Sequence, residues 1–218
     1  MTYSYTPRVC PLPEPTLRRL PWYLAFVKLL HAGGETFVSS TQMAIEIGAA
    51  PSQVSKDMSY INVRGRTKVG YEIERLIIVI EAYLGFNVRR KAVIFGVGSL
   101  GGALLHDTGL RQYGLEIIAG FDSRPIPEGT LINNIPVYHT SQYPELQKTM
   151  DAVIGIVTVP VEQAQIAADE IISGGIHALW NFTPFRIRVP EGVVVQNTSM
   201  YAHLAVMFNR LKFLDVKQ

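Results

Sequence analysis

Apolar positions recur at spacings of three and four through the first third of the chain. Leu17, Leu20, Leu24, Val27 and Leu30 predict a helix over residues 16–31, closed by Gly33-Gly34. A proline inside a helix clashes with the preceding turn, so Pro21 places the start of the regular helix near itself, with Leu17–Leu20 as a lead-in turn. Ser39-Ser40-Thr41-Gln42 has the spacing of a capping box with Ser39 as N-cap, and the short helix behind it carries Met43, Ala44 and Ile47 before Gly48. Pro51-Ser52 opens a second helix with the stripe Val54, Met58 and Ile61. Residues 72–84 form a further amphipathic helix ended by Gly85. Beyond Lys91 the pattern changes to short apolar runs at 92–95, 115–121, 151–159, 176–180 and 192–196, separated by helical stretches, as in a parallel sheet. A last helix over 199–214 carries Leu204, Met207, Phe208 and Leu211 with no later element to bury them, which predicts packing on another subunit.

The expected fold is therefore α/β in two modules: a leader over 1–15 with four prolines, a helical domain over 16–86, a nucleotide-binding domain over 87–197 and a terminal helix over 198–218. The 218 residues, 48% hydrophobic, suffice for two small cores. No apolar run is long enough to span a bilayer and no signal-peptide pattern is seen, so a soluble, cytoplasmic protein is expected. The single cysteine, Cys10, excludes an intrachain disulfide framework, and the five histidines show no metal-ligand spacing. Formal net charge is +2, but it divides unevenly. Residues 1–91 hold twelve Lys/Arg against seven Asp/Glu, net +5, and residues 92–218 hold eight against eleven, net −3. A basic module that meets a polyanion is the implication.

Helix, tight turn with glycine, helix is the layout of a helix-turn-helix. The polar face of its second helix shows Ser52, Gln53, Ser55, Lys56, Ser59 and Tyr60, short or basic groups suited to base edges and phosphates, with Ser39 at the neighbouring cap. Arg64-Gly65-Arg66-Thr67-Lys68 follows, between the β-formers Val63 and Val69, and reads as a basic hairpin turning at Gly65: the wing of a winged helix bound to double-stranded DNA. A solvated charged turn is the plain alternative.

The strand at 92–95 runs directly into Gly96-Val97-Gly98-Ser99-Leu100-Gly101 and a helix. In such a loop the first glycine makes the turn, the second admits a pyrophosphate and the third lets helix and strand pack, while the helix N-terminus offers free N–H groups. A second strand ends in Asp122, 21 residues past Gly101, where a carboxylate holds an adenosine ribose and favours NADH or NAD+ over 2′-phosphorylated cofactors. Ser123 and Arg124 complete that turn, and Arg124 either restores phosphate binding or covers the adenine. Thr158-Val159-Pro160 and Asn181-Phe182-Thr183 end later strands and are candidate walls of the same cofactor site. Only 127 residues follow Lys91, too few for a substrate domain as well, so sensing is expected rather than catalysis, with no catalytic residue assigned.

Arg18-Arg19-Leu20-Pro21-Trp22-Tyr23, Val38-Ser39-Ser40, Lys56-Asp57-Met58-Ser59-Tyr60, Val69-Gly70-Tyr71, the fingerprint loop, Ile135-Pro136-Val137-Tyr138, Thr158-Val159-Pro160 and Asn181-Phe182-Thr183-Pro184 occur in an order and spacing that resemble the Rex family of redox-sensing repressors, from Pro15 onward. The resemblance implies an N-terminal winged helix, a C-terminal Rossmann domain and a homodimer with swapped C-terminal helices. It further implies operator binding when NADH is scarce and release when NADH binds, controlling genes of NADH reoxidation. Met200 and Tyr201 become pocket walls on the same ground, with Arg19 as the residue coupling cofactor state to domain orientation. The chain departs from the family at Ser55-Lys56, where two basic residues are usual, and in the wing, which predicts a different operator. Asp107 and Ser199 stand where the family has its usual Tyr and Asp partners, so Asp107 is expected to partner Arg19. Two rival readings are a winged-helix regulator sensing another nucleotide or an acyl-CoA, and a small NAD-dependent oxidoreductase.

Overall fold

The computed structural model describes residues 12–215, so most of the expected leader, with Cys10, lies outside the described residues. The chain divides into two compact units with the boundary between Val88 and Arg89.

In the first unit, α1 (Glu14–Ala32) starts two residues earlier than expected, with Pro13 as N-cap and Pro15 in its first turn. It also runs straight through Pro21. The ring removes one helical hydrogen bond, that to the carbonyl of Leu17, which stands on the exposed side. Burial of Leu20, Tyr23, Leu24 and Val27 on the other side outweighs that loss. After β1 (Phe37–Val38), Ser39 caps α2 (Ser40–Ile47) in a complete capping box, and Gly48 ends it at φ 65°. The Gly48 turn leads to α3 (Pro51–Tyr60), whose Val54 and Met58 are fully buried with Ile61 just beyond. Antiparallel β2 (Tyr71–Glu72) pairs with β1, and α4 (Ile73–Leu84) closes the unit on α1. This is the expected winged-helix arrangement, with one correction. The hairpin turns at Lys68 (φ 64°), not at Gly65, and its pairing is a single bridge between Arg66 and Gly70. Val63 and Val69 do not pair: Val63 is drawn into the core, and Gly70, at φ 104°, lies where a Cβ would be 2.3 Å from the Val38 carbonyl.

The second unit is a seven-stranded sheet. Its elements in chain order are β3 (Arg90–Phe95), α5 (Ser99–His106), α6 (Gly109–Gln112), β4 (Leu115–Asp122), β5 (Leu131–Ile132), β6 (Ile135–His139), α7 (Tyr143–Met150), β7 (Ile154–Val157), α8 (Ala164–Ser173), β8 (Ala178–Asn181), β9 (Val194–Asn197) and α9 (Met200–Asp215). The order β5-β6-β4-β3-β7-β8-β9 is parallel throughout except for β5. Alternate residues of β3 explain its continuous apolar run. Ala92 and Ile94 pack with Leu105 of α5, while Val93 and Phe95 pack with Tyr143 of α7 and Ile171 of α8. The β5–β6 hairpin was not expected from periodicity, since Pro136 breaks the strand pattern; its turn is made by Asn133 and Asn134, both at positive φ (50° and 62°).

Candidate nucleic-acid and dinucleotide sites

On α3, the side chains of Ser52, Ser55, Lys56, Ser59 and Tyr60 are exposed, as a DNA-reading face requires. Ser55 and Ser59 donate their hydroxyls to the carbonyls of Pro51 and Lys56, which leaves their oxygens to accept. Gln53 turns inward instead: its Nε2 donates to Asp57 Oδ1 at 3.0 Å. At the hairpin, Arg64 and Lys68 are exposed and form no ion pair among the described residues. Arg66 differs, because it pairs with Glu72 at 3.4 Å and lies 5.3 Å from the Phe37 ring centre. At Gly65 a Cβ would lie 3.3 Å from the Tyr71 ring. Ser39 is consumed by its cap, accepting from Gln42 N at 3.1 Å.

Behind this face lies a polar knot that periodicity did not reveal. Asp57 is fully buried on α3 and accepts from Arg19 Nε (2.7 Å) and Nη2 (2.8 Å), Tyr23 Oη (2.9 Å) and Thr16 Oγ1 (3.0 Å), besides Gln53. Burial pushes its carboxyl up, and the hydrogen bonds from Arg19, Tyr23, Thr16 and Gln53 outweigh this, holding it below the usual range. Burial also pushes the Tyr23 hydroxyl up. Asp107, the expected partner of Arg19, accepts from Leu110 N at 2.9 Å, in the turn between α5 and α6. It lines a hollow of about 480 Å³ with Thr108, Arg111, Glu116 and Asn133.

The second site forms where strand order reverses at β3, at the C-terminal ends of the strands. A cleft of about 680 Å³ is lined by Phe95, Gly96, Gly98, Asp122, Ser123, Arg124, Thr158, Val159 and Pro160, among others. The three loop glycines have separable reasons. At Gly96 (φ 94°) a Cβ would lie 2.8 Å from the Thr158 carbonyl, and at Gly101 one would lie 1.9 Å from the Gly96 oxygen. Gly98 has nothing within 4 Å, which leaves open space at the N-cap of α5. Thr158 Oγ1 sits 2.7 Å from Gly96 O and 3.0 Å from Phe95 O, pinning the loop to β7's end. Val97 contributes its N–H, which donates to Asp122 Oδ2 at 2.9 Å; Ser99, Leu100 and Gly101 form the first turn of α5.

Asp122 is almost wholly occupied by the protein. Besides Val97, it accepts from the Arg124 backbone N–H (3.0 Å), Nε and Nη2 (both 2.9 Å). Burial raises its carboxyl, but the Arg124 and Val97 hydrogen bonds win and lower it to about 2. The loop after β4 is also tied by His139, whose Nε2 is 3.2 Å from the Ser123 carbonyl.

The structure does not bring every predicted wall residue into this cleft. Asn181 is fully buried; its Nδ2 donates to Phe185 O and Asn197 Oδ1, and its Oδ1 accepts from Thr183 N and Oγ1. Asn181 and Thr183 therefore shape the loop after β8, and the Phe182 ring lies against Trp180 with centroids 4.6 Å apart and planes tilted by 45°. Met200 and Tyr201 are exposed on α9, where Ser199 accepts from Ala202 N at 3.2 Å. The sequence reading missed Thr140, Gln163, Ile166 and Glu170 of the cleft. Thr140 was within reach, since it lies two residues past the Ile135–Tyr138 segment; the others sit on α8 and the turn before it, which carries no motif.

Among known proteins, residues 11–59 match the family described as "Putative DNA-binding protein N-terminus" and residues 87–185 match "CoA binding domain". The chain is 60% identical to the redox-sensing transcriptional repressor Rex of Bacteroides thetaiotaomicron over 94% of each, and 41% identical to that of Treponema denticola over 91% of this chain and 96% of the other. In solved structures, RSP, a Rex-family repressor, superposes with TM-score 0.88 in complex with NAD+ and operator DNA, covering 95% of this chain and 96% of RSP at 26% identity. In its complex with NADH the TM-score is 0.84, with 95% and 98% covered at 27% identity.

Proposed function

The chain belongs to the Rex family of redox-sensing transcriptional repressors, and we propose that it binds operator DNA when NADH is scarce and lets go when NADH fills the cleft. The observation that carries this is the presence in one chain of a helix-turn-helix with exposed Lys56, Arg64 and Lys68, and of a fingerprint loop left open at Gly98. In this reading the cofactor's pyrophosphate lies over Gly98 and the α5 N-terminus, and the adenosine end reaches Asp122 and Arg124. A cytoplasmic location and genes of NADH reoxidation as targets belong to the same proposal.

The working unit is a homodimer. Every described side chain of α9 from Met200 to Phe213 is exposed, including Leu204, Met207, Phe208 and Leu211. A helix of this kind gains too little by itself to stay folded in water, so its apolar surface belongs against a second copy. There Met200 and Tyr201 close the nicotinamide end with Phe182. A neutral dihydronicotinamide enters such an apolar site at lower cost than the nicotinamide cation. NADH drives release only through its preference for one dimer arrangement; a 100-fold preference is about 2.7 kcal/mol per site. Arg19 couples the two events by exchanging its bond to Asp57 for one to Asp107, and Ser199 lies at the hinge of α9. The altered wing and Ser55-Lys56 set an operator of their own.

Anisotropy of labelled DNA, selected from a randomised pool, tests the proposal. Micromolar NADH releases the DNA and matching NAD+ does not; binding indifferent to both sinks it. The match of residues 87–185 to a CoA-binding family favours one second reading, a regulator that senses an acyl-CoA. Release by acyl-CoA and not by NADH identifies that case.

A further inference from the structure

Arg124, rather than Asp122, fronts the part of the cleft where an adenosine ribose would lie. Asp122 is 7% exposed, and both of its oxygens are taken by Val97 and Arg124. The Arg124 side chain is 67% exposed. Only Nε and one hydrogen of Nη2 are used on the carboxylate, so Nη1 and the other Nη2 hydrogen point away from it. The acid that ordinarily accepts from a ribose 2′-hydroxyl and repels a 2′-phosphate is thus neutralised and covered. What the cleft offers in its place is a planar guanidinium, whose fork matches phosphate oxygens. The other charged group lining the cleft is Glu170, whose carboxyl burial pushes up.

We propose that Arg124 sets selectivity at the ribose 2′ position, so that the cleft accepts a 2′-phosphorylated dinucleotide beside NADH. This rests on the reading that the cleft holds a dinucleotide at all. Asp122 then acts as a positioning residue: it anchors Arg124 beside the fingerprint loop, and the Arg124 guanidinium makes the contact.

Calorimetric titration of the full chain tests this with NADH and NADPH, and with AMP and adenosine 2′,5′-bisphosphate as fragments that carry no redox group. In the unaltered chain NADPH binds within about tenfold of NADH, and the bisphosphate at least as tightly as AMP. Arg124→Ala shifts the NADPH-to-NADH affinity ratio at least about tenfold against NADPH, the scale of one lost charge-assisted hydrogen-bonded pair. Arg124→Lys, which keeps the charge without the fork, shifts it less. Cooperative thermal unfolding of both variants confirms that they fold. A ratio unchanged within threefold in Arg124→Ala overturns the inference while leaving NADH binding intact. Failure of the unaltered chain to bind either dinucleotide overturns the reading of the cleft itself.

Discussion

Arg19 and Asp57, 38 residues apart, are joined by two parallel hydrogen bonds of 2.7 and 2.8 Å between α1 and α3. Asp57 is fully buried, whereas the Arg19 side chain keeps 27% exposure. The two ends of the pair are therefore unequal. Removing Arg19 leaves a carboxylate still bonded to Thr16, Tyr23 and Gln53, while removing Asp57 strands all four donors. Asp57→Ala is expected to cost about 3–5 kcal/mol of stability, and Arg19→Ala about 1–3 kcal/mol. Urea denaturation of both variants checks the order, and equal losses would show that the knot is not centred on Asp57.

The depressed Asp122 carboxyl carries a pH dependence of definite sign. Its folded value of about 2 lies below the ordinary 3.8, so its contribution is fully present above pH 4 and is lost as pH falls toward 2. The shift corresponds to about 2 kcal/mol. Asp122→Asn is expected to flatten the fall in denaturation midpoint between pH 4 and 2 relative to the unaltered chain, and a parallel fall in both would refute the assignment.

Gly98 and Gly101 separate binding from folding. At Gly98, with open space and φ −73°, alanine should leave stability within about 0.5 kcal/mol yet weaken NADH binding about tenfold or more. At Gly101 a Cβ only 1.9 Å from the Gly96 oxygen forces the loop to move, and alanine should lose about 1–3 kcal/mol as well as the cofactor. Thermal melts paired with NADH titration read both effects.

The basic side chains around the hairpin are not equivalent. Lys56→Ala and Arg64→Ala should each weaken DNA binding and reduce the salt slope by about one. Arg66→Ala should change the slope less, because Arg66 is already held by Glu72 and Phe37. Anisotropy titrations across a salt series decide whether the ion pair persists on DNA.

Much of this protein was legible in its sequence because the signals are short-range. The Ser39–Gln42 box, the stop at Gly48, the stripe Val54-Met58-Ile61 and the fingerprint glycines depend on helix period, capping and local backbone room, and each stands where the pattern placed it. The misses have a common physical origin. Pro21 sits inside a helix because burial elsewhere on α1 compensates a lost hydrogen bond, and Pro136 sits in a strand because it lies beside an edge hairpin whose turn is built from two asparagines.

The sequence by itself determined the helices of the first unit, the helix-turn-helix and the loop that ends β3, since these follow from neighbours a few residues apart. Tertiary structure alone decided which polar groups are consumed. Asp57 was one acid in a polar helix until packing brought Thr16, Arg19 and Tyr23 onto it from 34 to 41 residues away. Whether Arg124 reaches outward or folds back on Asp122 was likewise settled by burial at the end of β4, where a carboxylate beside the Val97 N–H holds the nearest guanidinium. Hydrogen-bond partners compete, and only the folded chain fixes which donor arrives and how much water is left to rival it.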